Sequence, residues 1–278
     1  MISFIIWDVD PNIFTIPVIN HPVRWYGLFF ASTFLVSQQI MYYVYKIENR
    51  PVKEVDTLTV YIVVATIVGA RLGHVLFYDP VHYMQNPHEI LMVWEGGLAS
   101  HGGIIGILLS LFLFARNTKV DYLWILDRLA IVIALSCCMI RLGNLMNSEM
   151  IGIPTSRPWG FIFSRIDSLP RHPAQLYEAI HYFMSFVGLF WIWHRYRMNL
   201  KNGTLTSIGL IVLFGFRFVD EFFKINQESF EDRMILNMGQ VLSIPFILTG
   251  IVMLIIIWHR GHQTVLMNET QSNDPQRR

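Results

Sequence analysis

Residues 122–152 read YLWILDRLAIVIALSCCMIRLGNLMNSEMIG. Tyr122–Ile140 is an apolar run of the length a bilayer-crossing helix requires, about 20 residues. It ends on Arg141, and Asn144, Asn147 and Glu149 follow before Gly152. An apolar span that abuts a cluster of hydrogen-bonding side chains decides how the chain is read. It is a membrane protein that carries arginine and polar groups at or near bilayer depth.

Composition extends that reading to all 278 residues. Hydrophobic residues make up 53% and charged residues 15%, where a soluble domain carries about 25% charged. Mean hydropathy is +0.43. The net charge of +1 gives no bias toward nucleic acid, and the 8 Trp, 11 Tyr and 20 Phe suit interfacial belts and lipid-facing surfaces. Cys137 and Cys138 are adjacent, so no disulfide framework exists and both read as packing residues. Met1–Trp7 is apolar but lacks a basic leader and is interrupted by Asp8, Asp10 and Pro11, so no removable signal peptide is expected.

Seven segments have the composition of a span: Val23–Tyr45, Thr57–Tyr78, Leu98–Ala115, Tyr122–Ile140, Leu176–His194, Leu205–Phe223 and Gly239–Trp258. The expected fold is therefore an all-α polytopic membrane protein with about seven transmembrane helices. The third segment is short and glycine-rich and the sixth holds Arg217, Asp220 and Glu221, so six or eight spans are the alternatives. With seven, one side collects Lys46, Arg50, Lys53, Arg116, Lys119, Arg195, Arg197, Lys201, Arg260, Arg277 and Arg278 in short connectors or the tail. That side is expected to be cytoplasmic, with the N-terminus outside and the C-terminus inside. Residues Gly143–Arg171, rich in proline and glycine, read as a small extracytoplasmic cap between the fourth and fifth spans. Residues 1–262 then form a single integral membrane domain, and 263–278 a disordered cytoplasmic tail. No internal repeat is visible, which counts against a transporter built from duplicated halves.

Several clusters carry chemistry. Gly69–Gly73 and Gly102–Gly106 each place glycines four apart, as close helix packing in lipid uses, and they adjoin Arg71 and His101. Arg71 is left between a packing and a functional role. His101 is the best general-base candidate by its near-neutral pKa, a structural residue at a helix start being the alternative. It has no second ligand at metal-binding spacing, so no metal or cofactor is expected. Arg141 and Asn144 share a face if the helix persists, and guanidinium with carboxamide suits an anionic oxygen and neighbouring hydroxyls. The alternative is an arginine that snorkels to the interface. In Phe216–Lys224, Arg217, Glu221 and Lys224 form one charged stripe among phenylalanines. An arginine inside a span generally faces a polar interior, and the alternative is an Arg217–Glu221 pair that only holds helices together. His172, Gln175 and Tyr177 either line a mouth or sit at the interface.

Together these blocks resemble the prolipoprotein diacylglyceryl transferase family of the bacterial inner membrane. The resemblance runs in order through Arg24–Gly27, Gly69–Gly73, Gly96–Gly103, Arg141–Gly152, Arg171–Glu178, Arg217–Glu221 and Gly239–Pro245. It departs at His74, Ile140, Leu145, Leu213 and Lys224. The resemblance implies transfer of diacylglyceryl from phosphatidylglycerol to the lipobox cysteine of a preprolipoprotein, releasing glycerol 1-phosphate, the first step of lipoprotein maturation. Partners would be phosphatidylglycerol, lipobox-bearing signal peptides and membrane lipids. The expected catalytic residues are His101 as base, Arg141 on the lipid phosphate, and Arg217 on the leaving phosphate or the thiol. Tyr26, Asn144, Glu149, Gly152 and Glu221 are the expected substrate-binding set. A secondary transporter of an organic anion is the rival, and a seven-helix receptor or lipid-binding scaffold is a third reading.

Overall fold

The computed structural model describes residues 4–17, 21–226 and 229–272. Most of each of the seven apolar segments lies in a helix: α1 (Trp25–Ile47), α2 (Lys53–Phe77), α4 (Ser100–Thr118), α5 (Tyr122–Asn147), α6 (Ala174–Tyr196), α7 (Thr204–Asp220) and α8 (Met238–Ser272), with a short α3 (Pro80–Gln85) after α2. Among the described residues four helices are long and apolar enough to cross a bilayer: α2, α4, α5 and residues Met238–Arg260 of α8. At about 1.5 Å per residue, even the 19-residue α4 is close to the thickness of a hydrocarbon core. Their outward faces carry Val60, Leu76, Ile105, Leu109 and Leu248, all exposed, as lipid-facing helices require. α8 continues to Ser272, past Gln263, where the sequence leads to the expectation of a tail; residues 273–278 of that tail lie outside the described residues.

The fold is not purely helical. A three-stranded sheet joins β1 (Ile5–Trp7), β4 (Phe161–Phe163) and β5 (Pro170–Arg171), with β1 parallel to β4 and β4 antiparallel to β5. A hairpin pairs β2 (Asn12–Ile16) with β3 (His21–Arg24). These segments lie between or before the apolar helices, where the backbone has to find hydrogen-bond partners of its own. They were missed because strands of two to five residues leave no period, and the partner of β1 lies far along the chain. Trp7 joins this sheet to a helix end: its Nε1 donates to the Leu145 carbonyl at 3.0 Å, and its ring meets Phe161 at 5.6 Å. Leu145, Phe161 and Phe163 form the buried centre.

Two compact units divide the chain, Met1–Ser37 with Leu126–Arg278, and Gln38–Ile125. In the second, α2 and α4 touch backbone to backbone. A Cβ on Gly73 would stand 2.7 Å from the Cα of Gly102, and one on Gly69 would stand 2.5 Å from the Gly102 carbonyl. Small residues are therefore obligatory along this seam, as the packing reading expects. Arg71, buried on α2, is the centre of a collar. Its Nε donates to Ile90 O at 2.9 Å and its Nη1 to Gly96 O at 2.6 Å, with Glu89, Met92 and Gly97 supplying further carbonyls. Its guanidinium also lies 4.9 Å from the Tyr83 ring centre. The question left open for Arg71 is answered: it organises the segment 86–97.

In the first unit, α7 begins without a cap of its own at Gly203, whose φ of +93° suits glycine. The missing cap comes from Asp127 on α5. This wholly buried carboxylate accepts from Gly203 N (2.8 Å), Thr206 N (2.8 Å) and Thr206 Oγ1 (2.7 Å).

Arg71→Ala should strip the acceptors of segment 86–97 and lower stability by about 3 kcal/mol or more. Thermal unfolding in detergent and protease cleavage within 86–97 would report it. Arg71→Lys should not restore the collar, because a lysine lacks the planar fork; wild-type behaviour of either variant would contradict this role.

Candidate active site

The polar cluster of the first unit forms where α5 ends, α6 begins and α7 ends. Arg141, in the second-last turn of α5, approaches Glu178 of α6 with Nε 3.0 Å from Oε2, and its Nη1 donates to Asn144 Oδ1 at 3.1 Å. Asn144 passes the chain on: its Nδ2 donates to Glu149 Oε2 at 3.1 Å, while Asn147 holds the other oxygen of Glu149 at 3.0 Å. Gln175 Nε2 donates to the Glu149 carbonyl at 2.5 Å and fixes the turn that carries it. The predicted clamp of Arg141, Asn144 and Glu149 is thus one connected group, oriented from α6.

A second group lies after α7. Glu221 sits in a short 3-10 turn, Glu221–Phe223, and its carboxylate accepts from Lys224 Nζ at 2.7 Å and from Asn237 Nδ2 at 3.2 Å. Arg217 reaches Glu221 only at 3.9 Å and keeps a side chain 32% exposed. The expected Arg217–Glu221 pair is therefore loose, because the buried ammonium of Lys224 has taken the carboxylate. Lys224 also stands 3.6 Å from Glu178 Oε1, which ties the two groups together: Arg141, Glu178, Lys224, Glu221. Gly239, at the start of α8, permits this; a Cβ there would run into the Glu221 carboxylate. One turn along α6, His181 Nδ1 faces both oxygens of Asp220 at 2.9 Å, with its ring stacked on Phe216 at 4.4 Å.

Gly152 contributes by absence of a side chain. Its N–H donates to the His172 carbonyl at 3.0 Å, Ile153 N donates to the Phe223 carbonyl at 3.0 Å, and Gly152 bridges to Lys224. A Cβ at 152 would meet the carbonyls of both His172 and Phe223. The strap 151–153 thus pairs antiparallel with the Lys224 segment through backbone hydrogen bonds. Tyr26, in the first turn of α1, packs on Gly143, where a Cβ would come within 3.0 Å of its ring. It lines a groove of about 450 Å³ with Arg24, Gly27, Leu28 and Asn147. His101 belongs to the other unit. There it is exposed at the start of α4, stacked on Tyr78 (5.7 Å) and edge-on to Phe77 (5.8 Å).

Glu178 is the residue that sequence reading left out. It was quoted at the end of Arg171–Glu178 but given no role. The available signal was its position three residues after Gln175, on the same helix face and within an otherwise apolar span. The His181–Asp220 pair was missed too, since its members lie on different helices. Among the described residues no group of three or more His, Cys, Asp or Glu stands ready for a metal ion.

The family described as prolipoprotein diacylglyceryl transferase matches residues 11–256. The chain belongs to the prolipoprotein diacylglyceryl transferase family. It is 47% identical to the phosphatidylglycerol–prolipoprotein diacylglyceryl transferase of Tolumonas auensis, over 90% of this chain and 96% of that one. Relatives with the same name from Porphyromonas gingivalis (45%) and Chloroherpeton thalassium (43%) each match 91% of this chain and 94% of their own length. It is a membrane transferase of lipoprotein biosynthesis.

His172 stands just before α6, where its Nδ1 lies 3.0 Å from the Tyr177 hydroxyl, which in turn accepts from Trp159 Nε1 at 2.8 Å. Desolvation, assisted by the positive charge of Arg157, holds its pKa below the ordinary 6.5. A group with a depressed folded pKa that must become charged binds its proton more readily when unfolded. Its contribution to stability is full above 6.5 and fades as pH falls below that value through the depressed one. The thermal unfolding midpoint should therefore fall as pH is lowered below 6.5, and His172→Gln should flatten part of that slope. An unchanged slope in the variant would contradict the assignment.

Proposed function

We propose that the chain transfers the diacylglyceryl group of phosphatidylglycerol to the lipobox cysteine of preprolipoproteins and releases glycerol 1-phosphate. Supporting this is the charge balance of the buried network. Arg141, Arg217 and Lys224 stand against Glu178 and Glu221, three cations against two carboxylates. Asp220, also buried, faces His181, and Glu149 lies exposed at the outer end of the Asn144 bridge. Cations gathered inside a lipid-embedded protein mark a site for an anion, and a lipid phosphodiester is such an anion.

The chemistry asks for a thiolate, a held phosphate and a stabilised leaving group. The thiolate sulfur attacks the glyceryl carbon, the carbon–oxygen bond to phosphate breaks, and the thiol proton passes to a base. Arg141 would hold the phosphate, with Asn144 and Glu149 toward the glycerol hydroxyls and Tyr26 at the headgroup. Arg217, loosely held by Glu221 and part exposed, would stabilise the departing phosphate or the thiolate. His101 is the base in this reading. The Gly152 strap would hold the Lys224 segment in place beside Glu221.

The same reading takes the seven helices of the apolar segments as seven spans in the bacterial inner membrane. The N-terminus and the cap (about 143–171) would lie outside and the C-terminal tail in the cytoplasm, with 1–262 as one integral membrane domain. The organic-anion transporter draws no support from the relatives, all of which carry the transferase name.

The test is to incubate the detergent-solubilised chain with phosphatidylglycerol and a lipobox peptide and weigh the peptide. A diacylglyceryl mass gain on the cysteine is expected; uptake by proteoliposomes without any product would favour a transporter. Arg141→Ala and Arg217→Ala, each folded, should each reduce transfer by at least about 10²-fold. His101→Gln should lose about 10²-fold or more, and near-normal turnover at every pH would remove it from the role of base.

A further inference from the structure

Glu178 has no exposed surface, and neither carboxylate oxygen makes a hydrogen bond among the described residues. Arg141 Nε approaches Oε2 at 3.0 Å without hydrogen-bond alignment, and Lys224 Nζ stands 3.6 Å from Oε1. A buried carboxylate ordinarily satisfies its lone pairs in full, so this one is held by charge alone, between two cations on different elements. Lys224 is anchored from the far side by Glu221 at 2.7 Å, and an ammonium has three donors. It can take a second carboxylate without releasing the first.

We propose that Glu178 is the resident counter-anion of the phosphate site. It occupies Arg141 while the lipid is absent and yields that guanidinium to the lipid phosphate by shifting its charge onto Lys224. The inference rests on the preceding reading of Arg141 as the phosphate-holding residue. Charge supports the exchange: Arg141, Arg217 and Lys224 face Glu178 and Glu221, so Arg141 can take a phosphodiester while Lys224 keeps both carboxylates. Distance supports it as well. Closing the 3.6 Å gap to about 2.8 Å, the length of a charge-assisted hydrogen bond, needs only a side-chain torsion of Glu178. Its helix stays where it is, because Gln175 ties that turn to the Glu149 carbonyl. Glu178 is thus a positioning residue: it keeps Arg141 extended and desolvated, and it sets how tightly the lipid is bound before chemistry.

The purified full chain in detergent would be titrated calorimetrically with dioctanoyl phosphatidylglycerol, and turnover would be followed with the lipobox peptide. Glu178→Gln removes the competitor, so affinity for this lipid should rise by a factor on the order of ten. KM should fall with it and kcat should drop, because Arg141 has lost its anchor. Glu178→Asp should lie between the variant and wild type. Dioctanoylglycerol, which has no phosphate, should bind all of them alike. Unchanged or weaker binding of the phosphatidylglycerol by Glu178→Gln would overturn the exchange, as would an equal gain for dioctanoylglycerol. If Glu178→Gln does not fold, the double variant Glu178→Gln with Lys224→Gln removes opposite charges together and carries the same expectation. Arg141→Ala separates the two ideas. Binding lost there without a gain in Glu178→Gln sinks only the exchange, whereas wild-type binding by Arg141→Ala sinks the phosphate site itself.

Discussion

Two carboxylates and two cations in contact, Arg141 to Glu178 to Lys224 to Glu221, bind together the ends of α5, α6 and α7. In a low-dielectric interior an isolated charge costs several kcal/mol, and a pair repays that only when its geometry is good. Here each buried charge has an opposite neighbour, so the removal of any one strands another. That constraint explains features that look unrelated along the chain. Gly239 leaves room for the Glu221 carboxylate, and Gly152 lets the strap 151–153 pair with the Lys224 backbone. Asp127 fixes the start of α7, and with it the helix whose other end carries Arg217.

The arrangement separates two kinds of arginine. Arg71 spends its donors on backbone carbonyls of the segment it organises, and nothing of it is offered to a ligand. Arg141 is held by the side chains of Glu178, Asn144 and Tyr182, and Arg217 loosely by Glu221. Arg141 points along a chain of amide and carboxylate groups, and Arg217 stays part exposed. All three arginines sit in helices at similar expense, but only the last two have donors to spare for a phosphate.

Much of this was legible in the sequence. Hydropathy located the seven long helices, because each is apolar over most of its length, but it missed the polar extensions of α5 to Asn147 and α8 to Ser272. Arg141, Asn144 and Glu149 were found together because a helix end brings close neighbours in sequence close in space. Glycine spacing announced the α2–α4 seam. What sequence could not show depends on contacts between distant segments. Lys224, rather than Arg217, holds Glu221, since a 3-10 turn replaces the helix there and shortens the register. Glu178 meets Arg141 across two helices, and β1 meets β4 across most of the chain. No local period encodes such pairings.

The central claim is that a lipid phosphate is held directly by Arg141 in the network of the first unit. Solid-state NMR can read this as ³¹P–¹⁵N dipolar dephasing between phosphatidylglycerol and arginine-labelled protein in bilayers. A phosphate–guanidinium contact places nitrogen about 3 Å from a phosphate oxygen, close enough for strong dephasing. A dephased guanidinium signal that Arg141→Lys removes is the expected result. A signal absent in the wild type, or undiminished in Arg141→Lys, would contradict it.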